Sequence, residues 1–258
     1  MVREGVVVEQ TRVAWVIGAA AGIGAAIAKR FAADGWTLAL TNEPGVPPTA
    51  PVPLAWTGDC DVRDPVAVSE TYRRIVQEVG PVMAVSYNAG VNGPYEETMA
   101  TPDEWRRTLD VNLLGAVWVA EAVAPDMMAR GAGAIVFTAS TNAHKPAPYM
   151  IPYRASKAAL VMYMRSLALL LAPHGVRVNA VCPGVVLTPM QMRVNDERAI
   201  QSGRSPEDAL AERRARIPAQ AFVEADEVAT VVALLVSGQV PSIVGQELVI
   251  DGGDVQYL

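Results

Sequence analysis

Tyr153 and Lys157 are the two residues whose types and spacing most directly indicate chemistry. They lie four positions apart at the start of a predicted helix, so both side chains project from one face. A free tyrosine titrates near about 10, which is too high for a general base at neutral pH. Because a nearby ammonium group favours the phenolate, we expect Lys157 to lower the pKa of Tyr153. By itself the pair is a weak signal, since solvent-facing tyrosine and lysine side chains at this spacing are common.

Three other polar residues are candidates to meet Tyr153 around a substrate oxygen. Ser140 follows a predicted strand and precedes Tyr153 by 13 positions. Asn88 follows an earlier predicted strand, and Asn112 lies in a predicted helix. In a doubly wound sheet the carboxyl ends of the strands face the ligand crevice, which would bring these side chains to one place. Taken singly, each is an ordinary polar residue.

A glycine-rich turn lies between the first predicted strand and the first predicted helix. Gly18, Gly22 and Gly24 have the spacing G-x-x-x-G-x-G. Glycines here permit a tight turn and let a pyrophosphate approach the unpaired N–H groups of a helix N-terminus. Glycines at a strand end serve packing or turn formation about half of the time, so the position is what favours phosphate binding.

Apolar runs alternate with helical patterns along the whole chain. The predicted strands are 13–17, 36–40, 82–86, 134–138, 176–181 and 247–250, and the predicted helices are 23–33, 66–79, 102–129 (as two helices), 153–171 and 225–236. Nearly unbroken apolar strands that alternate with helices indicate an α/β fold with a parallel sheet covered on both faces. Because no linker or repeat interrupts this order, we predict a single domain over residues 1–258.

Two segments depart from the alternation. Residues 43–53 contain five prolines, which exclude a helix there. Residues 188–218 are polar and charged, and proline occurs near both ends. Long excursions in a compact fold are usually lids or binding loops, so we expect a substrate loop at 188–218. A plain surface insertion is the alternative.

Composition excludes several classes of function. A net charge of -6 and a pI near 5.0 argue against nucleic acid or an anionic membrane as a partner. The two cysteines, Cys60 and Cys182, lie in no CxxC or CxxH pattern, so we expect no metal site and no disulfide framework. The first residues lack the apolar run of a signal peptide, and apolar runs such as 231–236 are too short to cross a bilayer. We therefore expect a soluble, cytoplasmic protein.

Taken together, these positions closely resemble the short-chain dehydrogenase/reductase family along almost the whole chain. The matching elements are residues 17–24 (IGAAAGIG), Asp61-Val62, Asn88-Ala89-Gly90, Val111-Asn112, the set Ser140, Tyr153 and Lys157, residues 183–189 (PGVVLTP) and Asp251-Gly252-Gly253. One such element could occur by chance, but seven in order could not. The resemblance implies an α/β doubly wound Rossmann fold with a mostly parallel seven-stranded sheet and helices on both faces.

The resemblance also implies a role for each catalytic residue. Tyr153 would give or take the substrate proton, and Ser140 would hydrogen-bond the reacting oxygen as charge develops on it. Lys157 would hold the nicotinamide ribose and lower the pKa of the tyrosine. Asn112 would anchor a water that links Lys157 to solvent. The hydride chemistry itself would belong to the cofactor.

The residues expected to contact a nicotinamide dinucleotide follow from the same motifs. They are Gly18, Gly22, Ile23, Gly24, Asn42, Asp61, Val62, Asn88, Ala89, Gly90, Tyr153, Lys157, Pro183, Gly184, Val186 and Thr188.

NAD is the expected cofactor in preference to NADP. An adenosine 2′-phosphate needs an arginine or lysine near the end of the second strand or just before Gly22. Residues 19–21 are all alanine, and Thr41, Asn42 and Glu43 end the strand, so both places lack a cation. Asn42 stands where NAD-specific relatives usually have aspartate, which makes the expected preference modest.

Three positions depart from the family pattern. Ile17 stands where threonine is usual, and Tyr87 replaces the first asparagine of Asn-Asn-Ala-Gly. The proline-rich residues 43–53 replace a short helix. None of these positions is one of the four expected catalytic residues, so the changes bear on cofactor affinity and not on the class of reaction.

Two other functions are weighed against an oxidoreductase. A catalytically silent, cofactor-binding regulator of the same fold would be expected to lack one of the catalytic residues, but all four are present. Relatives that catalyse epimerisation or dehydration are mostly longer, with an added C-terminal domain. Zinc- or histidine-dependent dehydrogenases fit poorly, because neither His144 nor His174 has a carboxylate motif around it.

Substrate and assembly are inferred only from looser likeness. Residues 195–198 and 213–218, with the C-terminal signature, look most like relatives that act on small polyols, ketoses or vicinal diols, so the expected partner is a small alcohol or ketone.

Residues 158–171 are apolar almost all round, as is 113–124, and such helices must be covered on both sides. Family relatives bury these two helices between subunits, so we expect a homotetramer.

Overall fold

Seven strands form the central sheet in the order β3-β2-β1-β4-β5-β6-β7. The computed structural model describes residues 12–47, 55–93 and 99–255. The strands are β1 (Val13–Ile17), β2 (Thr37–Asn42), β3 (Trp56–Asp59), β4 (Val82–Tyr87), β5 (Gly133–Thr138), β6 (Val176–Pro183) and β7 (Glu247–Ile250). The helices are α1 (Gly22–Ala33), α2 (Pro65–Glu78), α3 (Pro102–Leu109), α4 (Gly115–Arg130), α5 (Ile151–Leu171), α6 (Pro189–Ser202), α7 (Pro206–Ala215) and α8 (Ala225–Ser237). Every strand pair is parallel, which confirms the predicted doubly wound fold.

Separate hydrophobic clusters cover the two faces of the sheet, because side chains alternate along each strand. On β1, Trp15 and Ile17 belong to the cluster formed with α2, α4 and α5. Ala14 and Val16 belong to the other cluster, which includes Phe31 of α1 and residues of α8. The strand order reverses between β1 and β4, and the carboxyl ends of these strands open the crevice where such sheets bind ligands.

Strand β3 is the strand that the residue pattern alone does not identify. It has four residues, WTGD, of which only Trp56 is buried. Gly58 and Asp59 are poor strand formers, so the segment lacks the apolar run that indicates the other six strands.

The prediction of a loop at 188–218 is wrong, because this segment forms α6 and α7. Thr188 caps α6 by accepting a hydrogen bond from the N–H of Gln191 at 3.2 Å, and Ser205 caps α7 by accepting one from Asp208 at 3.1 Å. A proline follows each cap at the first helical position, where its missing N–H costs nothing. The capping residue and proline at the start of each helix are visible in the sequence, but the polar and charged composition of the segment favours a loop.

The proline-rich segment is described only in part. Residues 43–47 are not helical, as predicted, and the rest of 43–53 lies outside the described residues.

Two helical stretches, Pro102–Arg130 and Ile151–His174, are long and apolar enough to span a membrane by length and composition alone. The uninterrupted apolar runs of the sequence are short, so they did not indicate helical stretches of this length and hydropathy. Both stretches contribute buried residues to the cluster on one face of the sheet, as core helices of this length do.

Candidate active site

Asn88 ties the carboxyl ends of three neighbouring strands together. Its Nδ2 donates to the Ile17 carbonyl at 3.3 Å, and its Oδ1 accepts from the Thr138 hydroxyl at 2.6 Å. These bonds join the end of β4 to β1 on one side and to β5 on the other. These hydrogen bonds therefore fix the positions of the three strand ends relative to one another at the base of the crevice.

The glycine turn packs directly against the segment that follows β4. Gly18 has a φ of +76°, and a Cβ at this position would lie 2.7 Å from the backbone nitrogen of Ala89. A Cβ on Gly24 would lie 2.0 Å from the carbonyl oxygen of Gly18. Only glycine permits both approaches. The turn leads into the start of α1, where Gly22, Ile23 and Gly24 line the cleft. The unpaired N–H groups of a helix N-terminus can hold an anion.

Asn42 lies at the end of β2, and its polar side chain is buried beside the cleft. It is 4% exposed, and among the described residues neither Nδ2 nor Oδ1 has a hydrogen-bond partner. A buried amide without partners is costly, so this position fits a ligand hydroxyl such as that of a ribose. The glycine turn and Asn42 together are the observations by which the cleft fits a dinucleotide.

Asp61 and Val62 follow β3 at the same end of the cleft. The Asp61 carboxylate binds the Arg63 guanidinium at 2.8 and 2.6 Å, and this hydrogen bonding holds the pKa of Asp61 below its ordinary value. The Asp61 carboxylate raises the pKa of Arg63, and the negative charge of Glu43 contributes a smaller part of that rise.

Asn112 lies in a π-helical turn, Asp110–Leu114, between α3 and α4. Its Oδ1 accepts from the N–H of Val91 at 2.8 Å, and its Nδ2 donates to the Val91 carbonyl at 2.9 Å and to the Ser156 hydroxyl at 3.0 Å. Single π turns inside helices are frequent at functional sites. Here the turn links the segment after β4 to the start of α5.

Lys157 and Tyr153 lie on the first turns of α5 and face the end of β5. The Lys157 Nζ donates to the Thr138 carbonyl at 2.8 Å and lies 5.7 Å from the centre of the Tyr153 ring. The Tyr153 phenol interacts with the hydroxyl of Ser140, which itself caps a short 3-10 turn by accepting from the N–H of Asn142 at 3.1 Å. The structure thus brings Ser140, Tyr153 and Lys157 together as predicted.

A single cleft of about 1010 Å³ contains nearly all of the predicted site residues. Its lining includes every residue predicted to contact the cofactor, together with Ser140. Asn112 is the exception: it is fully buried behind the cleft, and its neighbour Val111 lines the surface instead.

The chain matches a family model described as enoyl-(acyl carrier protein) reductase over residues 18–254. It is 33% identical to a putative ketoacyl reductase of Streptomyces coelicolor over 96% of this chain and 99% of that protein. It is 33% identical to the 2,3-dihydro-2,3-dihydroxybenzoate dehydrogenase of Bacillus subtilis, with 94% and 95% covered. The chain belongs to the short-chain dehydrogenase/reductase family.

Solved structures agree with this assignment. An actinorhodin polyketide ketoreductase with NADPH superposes with a TM-score of 0.90 at 32% identity, over 96% of this chain and 98% of that one. NAD⁺-bound xylitol dehydrogenase gives a TM-score of 0.85 at 31% identity, over 94% and 98%. This short-chain dehydrogenase/reductase is therefore an NAD(P)-dependent oxidoreductase that acts on CH–OH and C=O groups.

Burial, and not the charge of Lys157 that is expected to lower it, is the main influence on the pKa of Tyr153. Burial raises the pKa of Tyr153, and the hydroxyl of Ser140 offsets only part of that rise. Burial likewise lowers the pKa of Lys157, to about 8. In this dehydrogenase both groups are desolvated, so each favours its neutral form more than it does in water.

Three residues that lie behind Ser140 were not identified from the sequence as neighbours of the site. The Cys182 thiol lies against the backbone of Ser140, and burial raises its pKa to about 12. The Glu247 carboxylate accepts from His144 Nε2 at 3.0 Å and from the Arg165 guanidinium at 2.6 Å. His144, Cys182 and Glu247 place their donor atoms within 4.8 Å of one another. They come from three separate segments, so no spacing in the sequence indicates the cluster.

Tyr87 shows what its departure from the family pattern does. The ring is fully buried beside Phe137, and its hydroxyl donates to the Val111 carbonyl at 2.5 Å. The tyrosine thus braces the π turn that holds Asn112.

Proposed function

We propose that this protein transfers a hydride between NAD(H) and a secondary alcohol or ketone, with Tyr153 as the proton carrier. The observation that carries the proposal is the Tyr153 phenol, which lies beside the Ser140 hydroxyl and a buried Lys157 at one end of the cleft. Ser140 would hold the substrate oxygen as charge develops on it. Tyr153 would then donate or accept the proton of that oxygen.

Lys157 and Asn112 would support the proton carrier from behind. A protonated Lys157 stabilises a phenolate at Tyr153 through charge. Asn112 positions the start of α5 through its bond to Ser156, whose hydroxyl in turn donates to the Tyr153 carbonyl at 2.7 Å. The water that family resemblance assigns to Asn112 would connect Lys157 to solvent.

The dinucleotide would lie along the cleft from Asn42 to Lys157. Its pyrophosphate would be held by Gly18, Gly22 and Gly24 and by the start of α1. Thr188 packs closely against Gly22, since a Cβ added to Gly22 would lie 2.7 Å from the Thr188 methyl group. The bound cofactor supplies the hydride donor or acceptor.

The proposed cofactor is NAD in preference to NADP. Asn42 offers a ribose hydroxyl two unused hydrogen-bonding atoms, and Glu43 beside it repels a 2′-phosphate. Arg63 at this end of the cleft is already held by Asp61 in a two-point ion pair. Related structures contain either cofactor, so these local charges carry the proposal.

The proposed substrate is a small hydroxylated compound: a polyol, a ketose or a vicinal diol. The structures of L-sorbose reductase, at a TM-score of 0.86 and 28% identity, and of xylitol dehydrogenase support this class. A silent regulator is not favoured, since relatives of similar length carry the names of reductases and dehydrogenases.

The proposed assembly is a homotetramer in the cytoplasm. The exposed apolar residues of α5 support a homotetramer. The two buried free thiols are compatible with the reducing environment of the cytoplasm.

The Tyr153→Phe variant tests the catalytic proposal. We expect turnover to fall at least about a thousandfold, because general acid–base catalysis contributes about that much. Cofactor binding, measured by quenching of tryptophan fluorescence, should stay within about threefold of wild type. Tyr163→Phe is the matched control, since Tyr163 lies on the same helix outside the cleft lining. Turnover by Tyr153→Phe within tenfold of wild type would refute the proposed mechanism.

A further inference from the structure

Glu247 places a carboxylate on an apolar face of the sheet. It is the first residue of β7 and lies opposite Ala180 of β6 in the parallel pairing. On the same face, Cys182 belongs to the hydrophobic cluster that α5 covers, and Val249 packs against it. The Glu247 side chain is only 14% exposed. Because a carboxylate removed from water is costly unless donors replace that water, the groups that bind Glu247 must offset a considerable cost.

One oxygen of Glu247 binds the segment that carries Ser140. Oε2 accepts from His144 Nε2 at 3.0 Å, and since an ionised carboxylate can only accept, this ring nitrogen carries the proton. His144 follows the short 3-10 turn that Ser140 caps, and its N–H donates to the Thr141 carbonyl at 3.1 Å. We call residues 140–144 the serine turn. The last residue of the serine turn is therefore tied to β7.

The other oxygen of Glu247 binds the helix that carries Tyr153. Oε1 accepts from the Arg165 guanidinium at 2.6 Å. Arg165 lies on α5 about three turns after Tyr153, and both belong to one continuous helix. A contact at Arg165 therefore constrains the position of α5 relative to β7, and with it the position of the Tyr153 backbone.

Strand β6 holds the beginning of the serine turn. The Ala139 N–H donates to the Val181 carbonyl at 2.8 Å, in the last part of the pairing between β5 and β6. The Cys182 thiol then lies against the backbone of Ser140, and its Sγ is 3.9 Å from Glu247 Oε2. The serine turn is thus held by β6 where it begins and by the Glu247 carboxylate where it ends.

We propose that Glu247 is a positioning residue, which holds the serine turn against α5. The two links through this one carboxylate fix the Ser140 hydroxyl relative to the Tyr153 phenol. Glu247 is not part of the described lining of the cleft, so it acts through the serine turn and not on the substrate. A misplacement of about 1 Å in a reacting group can slow a reaction about 100-fold. The inference rests on the proposed function, which assigns proton transfer to Ser140 and Tyr153.

The Glu247→Leu variant tests the proposal by separating kcat from KM. Leucine leaves both links without an acceptor, so we expect kcat for xylitol oxidation or L-sorbose reduction to fall at least about tenfold. The KM for NAD⁺ or NADH should stay within about twofold, because the expected cofactor contacts lie elsewhere. The solvent deuterium isotope effect on kcat should increase, since transfer of the Tyr153 proton becomes slower. A mere loss of folded protein would lower kcat without changing this isotope effect.

Two further variants are the controls for this measurement. Glu247→Gln can keep a hydrogen bond on each side, because its amide accepts from Arg165 and donates to the other tautomer of His144. Its kcat should lie within about threefold of wild type, and a loss as large as that of Glu247→Leu would overturn the proposal. Glu78→Leu removes another carboxylate that joins a strand to a helix, since Glu78 accepts from Trp56 at 2.9 Å and from Arg74 at 3.3 Å. This variant should leave kcat and the isotope effect unchanged.

Hydrogen–deuterium exchange, followed by mass spectrometry, tests the links without a substrate. In Glu247→Leu a peptide that contains the serine turn should exchange at least about fivefold faster than in wild type, while peptides of β1 stay unchanged. The proposal requires both faster exchange and slower turnover, so either change without the other overturns it. If the wild-type protein turns over neither xylitol nor L-sorbose nor any other alcohol or ketone, the proposed function fails. The exchange result then decides by itself whether Glu247 holds the serine turn.

Discussion

Lys157 holds a positive charge where little water reaches it. The side chain is 4% exposed, and its ammonium group donates to the Thr138 carbonyl. Burial lowers its pKa to about 8 from an ordinary value of 10.5. At pH 7 the folded protein still binds this proton, so it maintains a desolvated charge that the unfolded chain would solvate.

We predict that Lys157→Met abolishes turnover and stabilises the fold at pH 7 by about 1–3 kcal/mol. Because the folded pKa lies below the unfolded one, the unfolded chain binds more protons between about pH 8 and 10.5. Wild-type stability therefore rises with pH across this window, and the advantage of the variant is lost there. Below pH 8 the advantage should be fully present.

Thermal unfolding of the two proteins at pH 7, 8 and 9.5 checks this prediction. Thr41→Val is the control for removal of a buried polar group, since Thr41 is fully buried and accepts from Trp15 at 3.0 Å. A Lys157→Met variant that is less stable than wild type at pH 7 would show that the bond to Thr138 outweighs the cost of desolvation.

The proposed preference for NAD over NADP can be tested at Asn42. We predict that Asn42→Asp raises the NAD-to-NADP ratio of kcat/KM by about tenfold, because a carboxylate repels the 2′-phosphate and still accepts from the ribose. Asn42→Ser removes the amide without adding charge and should change the ratio much less. Equal shifts in the two variants would mean that charge is not the cause.

The spacing of Ser140, Tyr153 and Lys157, taken with the family resemblance, predicts that these residues meet, because a strand end and one helix turn fix their positions. The sequence could not show that Cys182 and Glu247 lie behind Ser140, since they come from β6 and β7 and meet it only across the sheet. It also could not give the pKa of Tyr153, because burial dominates that value and depends on the whole fold.

At the scale of elements, the same physics explains which predictions were correct. Strands β1 and β5 are fully buried, so their apolar runs are unbroken and visible. Strand β3 and helices α6 and α7 are short or polar, and their hydrophobic signal is weak. The latter two are defined by their caps, Thr188 and Ser205, more than by an apolar face.

The close contact between the glycine turn and the segment after β4 allows us to predict the effect of substituting Gly18. Gly18→Ala should destabilise the protein by about 2–4 kcal/mol, since it adds backbone strain and places a methyl group against the Ala89 nitrogen. The clash also displaces the turn, so cofactor affinity should fall at least tenfold.

Gly131→Ala separates the two causes. Gly131 ends α4 with a φ of +67°, close to that of Gly18, but a Cβ there would meet nothing within 4 Å. This variant should cost only about 1 kcal/mol of strain and leave cofactor binding unchanged. Chemical denaturation of both variants measures the difference, and equal losses would mean that the close approach to Ala89 is unimportant.

At the scale of the whole molecule, the spatial distribution of charge is the property that is least evident from the sequence. The net charge of -6 argues against a polyanionic partner as the main ligand, yet the described lining of the cleft has an excess of basic residues. Arg107, Lys145, Arg154, Arg193 and Arg213 are scattered over about 100 positions, and only the fold brings them to one cleft. A net charge therefore constrains macromolecular partners better than it constrains a small substrate.

The apolar outer face of α5 leads to the last prediction, which concerns assembly. Met162, Leu169 and Leu170 lie on one side of the helix and are 59%, 81% and 65% exposed. Covering a leucine side chain contributes about 1.5–3 kcal/mol, so an exposed row of this kind indicates a partner surface. We expect a tetramer by light scattering at micromolar concentration, and the double variant Leu169→Glu, Leu170→Glu should form smaller species. Ile200→Glu is the control, because Ile200 is 80% exposed on α6 and should leave the mass unchanged. A monomeric wild-type protein would contradict the proposed assembly, and an unchanged mass for the double variant would place the interface on another face.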